Sequence, residues 1–239
     1  ATWDGFKSDV PAYQELLAKL AEAQQGLCIY CEQRLVDGAA KLVPNDYQVE
    51  HVQAKSGAIG GVLDWHNLAL ACGGGTYRHH RDSSRVYTNA LNTSCGQTKG
   101  DDDLPQGCDP RTFPLLDALV EVGLDGRLSV NAQNCAAVGV APNNVEDAIK
   151  LLNLDCERLR KTRQDRRDNA NAWVVPPLAE LLVATHLGPP QRQQMLDLLI
   201  AGRLQPDALG YLRASWSTER CALGSDAETW ISNNQGLFK

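Results

Sequence analysis

Apolar and polar positions in the first quarter of the chain change period twice. After Asp9-Val10-Pro11, Leu16, Leu17, Leu20 and Ala21 recur at helical spacing up to Gly26, with Pro11 suited to a first turn, which predicts a helix. From Tyr47 to Val52 the pattern becomes a weak two-residue alternation, which predicts a short strand carrying Glu50 and His51. Between them Cys28-Ile29-Tyr30-Cys31 forms a tight knuckle, Leu35-Val36 is a candidate strand start and Asp37-Gly38 a turn. Gly57, Gly60 and Gly61 mark a loop, and Trp65 to Ala71 the next ordered piece.

Further on, residues 76–94 are polar and rich in Arg, His, Ser and Asn, as expected of an insertion after Cys72-Gly73-Gly74-Gly75. Leu119–Val122 and Arg127–Val130, joined through Leu124-Asp125-Gly126, predict a hairpin. Asn144 with Asp147 has the spacing of a capping pair and predicts a helix running to Leu152. A second helix is expected from about Cys156 to Trp173. Leucines at 178, 181, 182, 196, 198 and 199 extend helical character beyond it, broken by Pro189-Pro190 and Gly202. The expected class is α+β, with no internal repeat. Residues 1–27 form a helical segment, 28–115 a metal-bound core with an inserted loop at 73–94, and 116–239 a hairpin followed by helices.

Composition narrows the function classes. The 239 residues are 43% hydrophobic and 22% charged, ordinary for a globular protein. The most apolar segment, Trp173–Leu187, is interrupted by Pro176, Pro177, Glu180 and His186, so a membrane span is not expected. No basic and apolar leader stands at the start, and a cytoplasmic location is expected. A net charge of −6 excludes a generally basic surface and leaves room for a local phosphate-binding patch. Arg160, Arg163 and Arg167 share one face of the predicted 156–173 helix. That face is a candidate phosphate track, with a solvated or partner-docking surface as the alternative.

Eight cysteines in such a chain point to metal chemistry. Cys28 and Cys31 offer one edge of a tetrahedral zinc site. Cys72 and Cys95 are the candidates for the other edge, with His79 and His80 competing. Cys108, Cys135, Cys156 and Cys221 are scattered and expected to pack. Glu50 is a hard oxygen ligand for Mg²⁺ or Mn²⁺, and His51 a base able to take a proton from water. Asn67 is placed to orient the imidazole, with His66 as the alternative, and Lys55 and Lys99 are candidates for phosphate contact.

In order, these motifs are Cys28-x-x-Cys31-Glu32, Glu50-His51, Trp65-x-Asn67-Leu68, and Cys72/Cys95 leading into Lys99-Gly100. The arrangement resembles the HNH (ββα-metal) endonucleases with a four-cysteine zinc site. More narrowly it resembles the HNH component of Septu and retron-associated anti-phage systems. The resemblance covers roughly residues 10–170, including Ala148-Ile149-x-x-Leu152-Asn153-Leu154 and Arg158 to Arg163.

It implies a small ββα core with structural zinc, followed by a mainly helical region. Glu50 would be the acidic metal ligand, His51 the base and Asn67 the central asparagine. The implied activity is divalent-metal-dependent hydrolysis of nucleic acid, DNA ahead of RNA, in a defence complex with an ATPase. The third metal-binding position of the pattern, directly after the last zinc cysteine, is Gly96 here, so Gln97, Asp101, His79, His80 or water must fill that role. The rival expectation is a zinc-stabilised nucleic-acid-binding or adaptor module without activity. A thiol oxidoreductase fits poorly, because no βαβ pattern flanks Cys28 and Cys31.

Overall fold

In the computed structural model, residues 2–55, 61–76, 90–112, 119–165 and 188 are described. Helix α1 (Trp3–Ser8), not anticipated from the sequence, starts where the Thr2 hydroxyl accepts the Gly5 N–H. Asp9 ends it and caps α2 (Val10–Ala23) through Ala12 N. The expected α2 stripe is real: Leu16, Leu17 and Leu20 are its buried residues. Trp3, Phe6 and Tyr13 pack as an aromatic cluster that seats α1 on α2.

Strand β1 (Tyr47–His51) pairs antiparallel with β2 (Leu68–Cys72), His51 opposite Leu68 and Tyr47 opposite Cys72. Side-chain alternation therefore sends Gln48 and Glu50 to one face of the sheet and His51 to the other. All five β2 residues are buried, because α2 covers this small sheet and the Cys28 knuckle hydrogen-bonds along its outer edge: Ile29 N donates to Leu70 O. The expected strand at Leu35–Val36 reduces to the isolated bridges Leu27–Arg34 and Val36–Leu42.

A one-turn helix, α3 (Gly96–Lys99), follows Cys95 and completes a β1-β2-α3 order. The predicted hairpin is present as β3 (Val120–Val122) and β4 (Leu128–Val130). Two short helices follow. Helix α4 (Ala132–Val138), capped by Asn131, was not anticipated. Helix α5 (Pro142–Leu151) begins two residues before the expected Asn144 cap, because Pro142 takes the first-turn position and the Asn144 amide instead donates to Gln106 O.

Residues 157–165 are helical. The remainder of that predicted helix, the later leucine-rich segments and Cys221 lie outside the described residues. The class is α+β, as expected, and no described helix is long and apolar enough to cross a membrane.

Candidate metal and catalytic site

Cys28, Cys31, Cys72 and Cys95 come together, all buried, with their sulfurs within 4.8 Å of one another. Cys31 Sγ to Cys72 Sγ is 3.7 Å and Cys28 Sγ to Cys95 Sγ is 3.9 Å. A tetrahedral zinc with bonds of about 2.3 Å requires sulfurs about 3.8 Å apart, so the donor set fits that ion. Backbone N–H groups point at the sulfurs as well: Cys72 N donates to Cys28 Sγ at 3.2 Å and Gly74 N to Cys72 Sγ at 3.4 Å. Gly74 has φ +60°, and a Cβ there would collide with the Ser94 carbonyl. This is the sharp turn that the glycine run after Cys72 suggested.

Four thiols in one buried pocket compete for protons. Burial pushes Cys31 and Cys95 well above the usual thiol range, while hydrogen bonds from Cys28, Cys31 and Cys95 hold Cys72 well below it. Arg158, the buried cation of the next shell, donates to Ser94 Oγ at 2.5 Å, Gln33 Oε1 at 3.3 Å and Asn92 O at 3.4 Å. Burial opposes its charge, but the cluster sulfurs, Cys72 foremost, outweigh that and hold its proton more tightly. In the sequence Arg158 opens the Arg158 to Arg163 stretch; its place beside the four-cysteine cluster depends on the fold.

The Glu50-His51 pair divides across the sheet. The His51 ring meets the edge of Trp3 at 4.9 Å, and its Nε2 lies 2.9 Å from the Val62 carbonyl. That carbonyl can only accept, so Nε2 carries the proton and Nδ1 keeps a lone pair. Nδ1 is buried with no hydrogen-bond partner among the described residues. Burial lowers the histidine's pKa, which keeps the ring neutral near pH 7 and available as a base.

Asn67 does not touch the imidazole as expected. Its amide accepts from Gln53 N at 2.7 Å and donates to Gln53 O at 3.2 Å and Gly61 O at 3.1 Å. It thereby fixes the turn after His51 and the chain that presents Val62. His66 is exposed in the short 3₁₀ turn Trp65–Asn67.

On the other face, Glu50 Oε1 accepts from Tyr30 Oη at 3.1 Å and pairs with Lys99 Nζ at 3.2 Å. The Lys99 side chain is 1% exposed and also donates to the His51 and Gly100 carbonyls, at 3.3 and 3.4 Å. Lys99 is thus an internal clamp on Glu50 and on the end of β1, where the sequence had suggested a phosphate contact. Burial raises the Glu50 pKa, with Lys99 and Tyr30 pulling the other way. Tyr30 and Gln48 were not singled out in the sequence; only the fold shows that both reach this carboxylate.

Among the described residues, Glu50 Oε2 has one long hydrogen bond, from Gln48 Nε2 at 3.5 Å. A Cβ at position 96 would overlap Oε2 and Gln48 Nε2, so glycine is what lets α3 approach Glu50 this closely. Glu50 Oε2 and the Gln48 amide are hard donors of the kind a divalent ion takes, while the Lys99 ammonium on Oε1 competes with such an ion for the Glu50 charge. No third His, Cys, Asp or Glu joins Glu50 in a metal-ligand cluster among the described residues.

Among the proposed nucleic-acid contacts, Lys55 is exposed, and its charge is felt by both Glu50 and His51; its N–H bonds Asp101 Oδ1 at 3.0 Å. Arg163 is buried, donating to Gly126 O at 2.7 Å and Leu154 O at 2.9 Å and lying 3.5 Å from Asp155. Arg160 pairs with Asp155 at 3.0 Å. The shared face of these two arginines therefore meets Asp155 and the β3–β4 turn rather than forming a free phosphate track. Arg167, His79 and His80 lie outside the described residues.

Over 187 residues the chain is 28% identical to a protein of Escherichia coli named "Retron Ec83 putative HNH endonuclease", spanning 68% of this chain and 69% of that relative. No protein-family model matches the sequence, and no solved structure matches it.

Proposed function

We propose that this chain is a metal-dependent endonuclease of the HNH type, hydrolysing phosphodiester bonds in nucleic acid, DNA in preference to RNA. The observation that carries the reading is His51: an imidazole at a strand end, its Nε2 committed to the Val62 carbonyl and its Nδ1 left without a partner among the described residues. The β1-β2-α3 order beside the four-cysteine cluster and the likeness to the retron protein support it.

In this reading His51 Nδ1 takes the proton from an attacking water, and because His51 is the last residue of β1, its side chain and that of Glu50, on opposite faces of the sheet, serve one phosphodiester at the strand's end. Glu50 is the residue that would hold the divalent ion, Mg²⁺ or Mn²⁺, whose chemistry when bound is to neutralise charge on the phosphate and leaving oxygens. Lys55 attracts the phosphate backbone, and Asn67 keeps the His51 turn and the Val62 carbonyl in place. Zinc in the Cys28, Cys31, Cys72 and Cys95 cluster fastens the knuckle to β2 and α3. The reading extends to a role as effector of an anti-phage system of the retron and Septu kind, acting with an ATPase; the likeness to the retron protein supports the retron part of it.

One observation favours a second reading. Glu50 already has Lys99 and Tyr30, so the same residues also suit a zinc-stabilised binding or adaptor module without activity. The test is incubation of the zinc-loaded protein with Mg²⁺ or Mn²⁺ on plasmid DNA and on total RNA, with and without the ATPase. DNA cleavage is expected. Cleavage of RNA alone overturns the substrate preference, and binding without cleavage in every arm supports the adaptor.

A further inference from the structure

Gln48 stands two residues before Glu50 on β1, on the same face of the sheet, and its amide ends where a side chain at position 96 would begin. It is half-buried, and it is tied from behind: Gln97 Nε2, on α3, donates to Gln48 Oε1 at 2.5 Å. The other end of the Gln48 amide faces Glu50 Oε2, the carboxylate oxygen that neither Tyr30 nor Lys99 uses. A carboxylate oxygen and an amide thus converge on the bare face of Gly96.

We propose that Gln48 supplies the amide oxygen donor that joins Glu50 in holding the divalent cation, in place of any side chain at position 96. This rests on the reading of Glu50 as the metal-holding carboxylate. Without a cation, the Gln48 NH₂ faces Oε2 as a donor. With one, the amide turns over and offers Oε1. The exposed Gln97 amide turns with it, so their hydrogen bond persists with donor and acceptor exchanged. Glycine at 96 is then the consequence of a ligand arriving from the strand rather than a lost ligand: any Cβ there would occupy the place where the two donors meet.

The experiment measures Mn²⁺ uptake by the zinc-loaded full chain, using the electron paramagnetic resonance signal of free Mn²⁺, with no nucleic acid present. Wild type is expected to bind one Mn²⁺ outside the cysteine cluster, and Glu50→Gln to abolish it. Gln48→Ala should weaken uptake roughly tenfold or more. Gln48→Glu, which keeps an oxygen donor and adds charge, should bind at least as tightly as wild type.

Zinc content and circular dichroism establish that each variant is folded, and Gln48→Glu provides the test should Gln48→Ala fail to fold. Wild-type Mn²⁺ affinity in folded Gln48→Ala, with Glu50→Gln still abolishing uptake, overturns the role of Gln48 and leaves that of Glu50 standing. Absence of Mn²⁺ uptake by wild type overturns the reading of Glu50 itself.

Discussion

Replacing Lys99 with Met removes an ammonium that reaches Glu50, His51 O and Gly100 O together. The side chains of Lys99 and Glu50 are 1% and 8% exposed, so solvent screens their interaction little. Leaving one member of a buried ion pair without its partner costs about 3–5 kcal/mol. For a chain of this size each kcal/mol lowers Tm by about 2–4 °C, so a drop of roughly 6–20 °C is expected. The companion variant is Glu50→Gln, which removes the opposite charge while keeping an acceptor for Tyr30. The double variant Glu50→Gln with Lys99→Met should unfold closer to wild type than Lys99→Met alone, with a coupling energy of about 2 kcal/mol. Denaturant titration followed by circular dichroism on zinc-loaded protein reads all four corners of the cycle. Wild-type stability in Lys99→Met, or strictly additive effects in the double variant, would refute the inward clamp and return Lys99 to the surface role that its sequence position suggested.

Asn67→Ala strands the Gln53 N–H and two carbonyls; a loss of about 1–3 kcal/mol is expected, together with lower cleavage as the Val62 carbonyl drifts from His51, read by denaturation and turnover on one sample. Arg163→Ala should cost stability through the lost Gly126 and Leu154 contacts and leave the salt dependence of nucleic-acid binding unchanged, whereas Lys55→Ala should lower that slope with little change in stability; filter binding at several salt concentrations separates them. Cys31→Ser should release zinc and unfold the knuckle, since one of four buried ligands is lost; metal analysis finding about one zinc per wild-type chain and none in the variant is the expected result.

Local signals carried much of this architecture. The Asp9-Val10-Pro11 start with its leucine stripe is α2, the Tyr47–Val52 alternation is β1, and Leu124-Asp125-Gly126 turns the β3–β4 hairpin. The elements missed are α1 and α4, six and seven residues long, too short for a periodic stripe and signalled only by Thr2 and Asn131 at their caps.

The cysteine cluster was legible because ligand type and the Gly73-Gly74-Gly75 turn are local facts, even though Cys72 and Cys95 are far apart in sequence. Side-chain destinations were not legible. Lys99 and Arg163 look like surface cations in the sequence, and only the packing of α3 against β1, and of residues 157–165 against the β3–β4 turn, turns them inward. Asn67 was expected to orient the His51 imidazole; its partners instead belong to a turn whose shape exists only once β1 and β2 have paired.

His51 is proposed as the base of a phosphodiesterase. The measurement that bears on it most directly is cleavage of plasmid DNA by His51→Ala in Mn²⁺, beside wild type of equal zinc content and equal thermal stability. Cleavage by wild type and none by His51→Ala is the expected result; undiminished cleavage by the variant would remove His51 as the base.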